Sequence, residues 1–90
     1  MVTYGNIVEL IIQREMGIVG RQKLMEVLAE VGLDVDESGT VRSNGVTIDH
    51  VDKLMTKLNE KYGLVTVMGC KIAVSRKARE GNLPLPSILR

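Results

Sequence analysis

Leu64-Val65-Thr66-Val67-Met68-Gly69-Cys70-Lys71-Ile72-Ala73-Val74-Ser75-Arg76-Lys77 is the stretch on which the fold class turns. Its first four residues are apolar or β-branched, Met68-Gly69-Cys70 carries a glycine where a chain can reverse, and Lys71-Ile72-Ala73-Val74 resumes the apolar run. That order predicts a β-hairpin. Ser75 is placed to cap a short helical turn through Arg79, and Gly81 ends it. Pro84 and Pro86 then keep the tail extended. A single domain over residues 1–82 with a tail over 83–90 follows.

Upstream of this stretch lies the best-marked helix, over residues 48–62. Thr47 is a good N-cap, Val46 and Val51 have the spacing of a hydrophobic staple, and Gly63 supplies the stop. Ile48, Val51, Leu54, Met55, Leu58 and Tyr62 fall within about 120° of arc and predict a core-facing stripe. His50, Lys53, Lys57 and Lys61 recur at spacings of 3, 4 and 4 and form a second line. That line has two readings. It can follow a groove of phosphates, each contact releasing counterions. It can also be a solvated face in which Asp49 and Lys53 make weak helix pairs.

Further towards the N-terminus, residues 33–46 read as a short hairpin or an ordered loop. Leu33 and Val35 alternate with Asp34 and Asp36, Glu37-Ser38-Gly39 forms a turn, and Thr40-Val41-Arg42 returns. A second helix is predicted over 21–31, with Gly32 in place for a left-handed C-cap. The first helix, over 4–15 with Thr3 as its N-cap, is apolar around most of its circumference. Such a helix is either central to the fold or shared with a second subunit, so a homodimer through it is one expectation.

Composition bounds the function. Ninety residues make one domain, and 44% apolar content without Trp or Phe gives an aliphatic core. Cys70 stands alone, which excludes an intrachain disulfide and fits a reducing, cytoplasmic setting. Beside Lys71 it reads as a small apolar residue or as a thiol of lowered pKa. Glu9, Gln13, Arg14 and Glu15 interrupt the first apolar run, which argues against a secretory signal or membrane span. Residues 1–37 hold three cations against seven anions, a net of −4, whereas residues 38–90 hold nine against four, a net of +5. Ser38, Ser43, Ser75 and Cys70 have only His50 as a base, so no catalytic set emerges and the chain is not expected to be an enzyme. One His and one Cys give no metal site, and no phosphate-binding fingerprint or other cofactor or small-molecule signature is present.

Taken together, three helices and a C-terminal hairpin resemble the winged-helix family of helix-turn-helix regulators. The resemblance spans residues 4–80. It rests on Gly20-Arg21-Gln22-Lys23-Leu24-Met25-Glu26-Val27-Leu28 as second helix and on Leu54, Leu58 and Tyr62-Gly63-Leu64-Val65 closing the third. Gly69 stands in the wing turn, and Lys71 to Lys77 in the strand that leaves it. The resemblance implies an α+β fold that binds duplex DNA as a transcriptional regulator. By it His50, Lys53, Lys57 and Lys61 face the DNA, and Lys71, Arg76 and Lys77 contact phosphate from the wing or its flank. The alternative is a protein-interaction module of the same fold, its contacts being the first helix and Leu83-Pro84-Leu85-Pro86. A shorter resemblance, Gly17-Ile18-Val19-Gly20 with Val31 to Val41, is to the KH domain and implies single-stranded RNA binding.

Overall fold

In the computed structural model, which describes all 90 residues, the chain folds into four α-helices with a non-helical connection between the second and third. Helix α1 spans Tyr4–Met16, α2 Arg21–Val31, α3 Ile48–Tyr62 and α4 Val65–Glu80, and a 3₁₀ turn follows at Ser87–Leu89. Reciprocal capping boxes start two of them. Thr3 Oγ1 accepts from Asn6 N at 3.1 Å while Asn6 Oδ1 accepts from Thr3 N at 3.0 Å. At α3 the same exchange joins Thr47 and His50. Gly32, at φ 85°, closes α2 in the left-handed conformation that glycine adopts without steric cost.

The expected C-terminal hairpin is absent: residues 65–80 are one continuous helix, and the fold is all-α rather than α+β. The reason lies in the longer period. Thr66, Val67, Cys70, Val74 and Ala78 are buried together, at spacings of 1, 3, 4 and 4 that only a helix brings to one side. The apolar, β-branched run at 64–67 is a local preference for strand, and burial of this longer stripe overrides it. Gly69 makes no turn. It lies within α4 where Ile18, from the α1–α2 connection, rests on the backbone so closely that a Cβ would collide with Ile18 Cδ1.

The second expected hairpin, over 33–46, is reduced to a single antiparallel bridge between Val35 and Val41. What orders this segment is side-chain chemistry. Asp36 Oδ1 accepts from Ser38 N at 2.9 Å, Ser38 Oγ at 2.6 Å and Thr40 N at 3.0 Å. These bonds hold the Asp36 carboxyl below its usual pKa, the Ser38 hydroxyl having the largest effect. Glu9 Oε2 accepts from Val41 N at 2.9 Å and seats the loop on α1.

Helix α1 is central. Ile7, Val8, Ile11 and Ile12 are buried within the chain, with Tyr4 and Leu10 packed against the same core. The core adds Leu24, Val27 and Leu28 from α2, Val51, Leu54, Met55 and Leu58 from α3, and the buried stripe of α4. The C-terminal segment returns to this core. Tyr4 Oη donates to Pro84 O at 2.7 Å, and Leu89 is fully buried. No helix is long and apolar enough to cross a membrane.

Candidate interaction surface

The seven cationic positions singled out by sequence separate into two groups. His50, Lys53, Lys57 and Lys61 lie on α3, and the structure engages three of them locally. His50 Nδ1 accepts from Thr47 N at 3.0 Å, so its ring belongs to the helix cap. Lys61 Nζ donates to Glu30 Oε1 at 2.6 Å, and Lys57 Nζ stands 3.7 Å from Glu30 Oε2. Glu30 thereby lies below the ordinary carboxylate pKa, chiefly through the Lys61 hydrogen bond, and Lys61 rises by the same bond. The α3 lysine line is thus a partly neutralised rim of a shallow groove that also contains Asp52 and Glu60. Lys53 alone in this group makes neither an ion pair nor a hydrogen bond.

Lys71, Arg76 and Lys77 lie on α4, not on a wing. Lys77 turns towards Glu80, 3.8 Å away, and towards Val2, Asn6 and Glu9 at the start of α1. Lys71 and Arg76 border Ile72, Ser75 and Arg79. Arg14 of α1 comes to the same region and meets Met68, Gly69, Ile72 and Arg76. None of Arg14, Lys71, Arg76 and Arg79 has a carboxylate within ion-pair distance.

Between these cations the outer face of α4 is apolar. Ile72 is 74% exposed, Met68 67%, Leu64 61% and Val65 58%. Val65, Met68 and Ile72 recur at spacings of 3 and 4, so they stand in one line. Ile18, also exposed, extends it sideways over Gly69. Continuing the helical period gives Arg76 and Arg79. The solvent face of α4 is therefore apolar through its first two turns and cationic through its last two. Sequence reasoning missed this surface because α4 was expected to be a hairpin. Projecting residues 65–80 at about 100° per residue is the signal that finds it.

Two interior groups complete the chemistry. Glu15 is fully buried, and neither carboxylate oxygen has a hydrogen-bond partner. Burial raises its pKa to about 7, against a lesser opposing effect of the adjacent Cys70. Cys70 is itself buried, its Sγ 3.5 Å from Thr66 O and 3.9 Å from Met55 Sδ. Desolvation and then the neighbouring Glu15 push the thiol up to about 12, so it stays protonated near neutral pH and is a packing residue. No group of three His, Cys, Asp or Glu side chains is placed to hold a metal ion. Comparison with protein-family models, with curated proteins and with solved structures gives no match to this chain.

Proposed function

We propose that the domain is a protein-interaction module that docks a partner on the outer face of α4. The supporting observation is the line Val65, Met68 and Ile72, each more than half exposed and flanked by Leu64 and Ile18. Single exposed apolar residues are ordinary on protein surfaces, whereas a contiguous row rimmed by charge marks a binding face. The domain core is complete without these side chains, so folding gives no reason for them. Met68 at the centre suits such a face, since an unbranched thioether repacks against different partners. Placing a photo-crosslinking residue at position 68 tests this in the cells that express the chain. A discrete adduct at 68, lost on Ile72→Asp and absent with the same probe at position 37, is expected. A pattern at 68 no different from that at 37 would sink the reading.

Nucleic-acid binding stands as a second reading, supported by the unpaired cations Arg14, Lys71, Arg76 and Arg79. Neutralising about four phosphates makes duplex affinity fall roughly 150-fold between about 50 and 200 mM salt. Titration of labelled duplex DNA against Lys53→Ala and Arg76→Ala separates contributions from α3 and α4. Absence of binding at the lower salt removes this reading.

A further inference from the structure

We infer that the occupant of the α4 face is an amphipathic helix, antiparallel to α4, whose first turns carry carboxylates. The inference rests on the docking reading above and names the partner class. Its basis is the division of one helix face into two chemistries: Val65, Met68 and Ile72 precede Arg76 and Arg79, and Arg14 flanks the junction. An occupant must cover the apolar half with aliphatic side chains and answer three cations that have no internal partner. Carboxylates answer them best, because Arg recognises the carboxylate plane through paired donors. Orientation follows from the dipoles. Antiparallel packing sets the partner's N-terminus beside Arg76 and Arg79, and acidic residues in its first turns stabilise that helix as well as the contact. Helix α4 spans 16 residues, so a partner of about four turns, roughly 24 Å, fills the face.

A second copy of this chain fits less well. Antiparallel α4 helices extend Arg76 and Arg79 past the other helix's N-terminus, its positive pole. Parallel ones set the arginines against their own counterparts. Membrane docking is weaker on composition: the face has no aromatic residue, and the chain has neither Trp nor Phe to sit at an interface.

Two designed peptides of about 18 residues test the inference. Both carry Leu at i, i+3 and i+7. One has Glu in its first two turns and the other Lys. Backbone amide shifts of the full chain read the contact. The expected result is that the Glu peptide shifts residues 64–76 and binds about tenfold more tightly than the Lys peptide, from two or three modest ion pairs. That preference should vanish in 0.5 M salt, roughly a Debye length of 4 Å. It should reverse in Arg76→Glu/Arg79→Glu, whose positions are exposed and leave the fold intact by circular dichroism. Equal binding of both peptides, abolished by Met68→Ser/Ile72→Ser, would overturn the acidic partner and leave α4 as a docking face. No shift with either peptide would remove the docking reading as well. Co-sedimentation with anionic phosphatidylserine vesicles, or dimerisation lost in Met68→Ser, would assign the face to a lipid surface or a second copy and overturn the inference.

Discussion

Glu15 is a carboxyl in the wrong solvent. It is fully buried, and neither carboxylate oxygen has a hydrogen-bond partner to offset the lost hydration of the ionised form. Its folded pKa, about 7, exceeds the ordinary 4.5 of the unfolded chain. A raised pKa means that the folded state holds the proton more tightly. The stabilisation is complete below pH 4.5 and is lost as pH rises through 7. We expect the unfolding free energy to fall by about 3 kcal/mol across this window from Glu15 alone. Urea denaturation at several pH values measures it. Glu15→Gln should flatten the profile, and Glu15→Met should exceed the wild type by about 1–3 kcal/mol at pH 8 by removing the orphaned oxygens. A pH profile unchanged by Glu15→Gln would show that another group carries the dependence. Gly69 makes a second point at this scale. An alanine there gains about 1 kcal/mol of helix propensity but displaces Ile18, whose flexible end can move. Gly69→Ala should therefore be nearly neutral alone and stabilising by about 1 kcal/mol in an Ile18→Ala background. A double-mutant cycle reads the coupling.

At the scale of elements, three helices were legible and the fourth was not. Thr3, Gly32, Thr47 and Gly63 mark ends that the structure keeps, because caps are decided by residues a few positions apart. Helix α4 is decided by what it packs on. Leu64-Val65-Thr66-Val67 has strand-like side chains, and packing on α1 and α3 selects the helix that buries Thr66, Val67, Cys70, Val74 and Ala78. The site inherited that error: Lys71 and Arg76 were named, but their neighbours Arg14, Met68 and Arg79 come from a helical projection and from another element. The α3 lysines were legible as a line, not as partners of Glu30, since that pairing bridges two helices. The loop over 33–46 gives the prediction for this scale. Glu9→Ala leaves Val41 N without its acceptor. It should increase amide exchange at Val41 by at least tenfold while α3 and α4 stay protected, as expected for a locally anchored unit. Unchanged exchange at Val41 would show that the Asp36 turn holds the loop alone.

For the whole molecule, the 3₁₀ turn matters more than its length suggests. Leu89 is fully buried with side chains of α3 and α4 around it. Leu89→Ala should cost about 2–5 kcal/mol through lost burial and the cavity left behind. Thermal denaturation of that variant measures it, and a loss below about 1 kcal/mol would mean that the segment is peripheral. Arg79→Ala, by contrast, removes an exposed side chain and should leave the midpoint almost unchanged. Core and proposed docking face are thus separable: the outer face of α4 can be emptied of charge or apolar contact without touching the core.

The connection between α2 and α3 has a practical corollary. Sixteen residues without a helix or a sheet would ordinarily be the first place for an enzyme to cut. Here Arg42 N donates to Asp34 O at 2.8 Å, and its neighbour Val41 is fastened to Glu9. A protease must lift the loop out of this seat before the scissile bond fits its cleft. Limited trypsin digestion should therefore spare Arg42 until Glu9 is changed, which makes one half-buried carboxylate the latch against nicking.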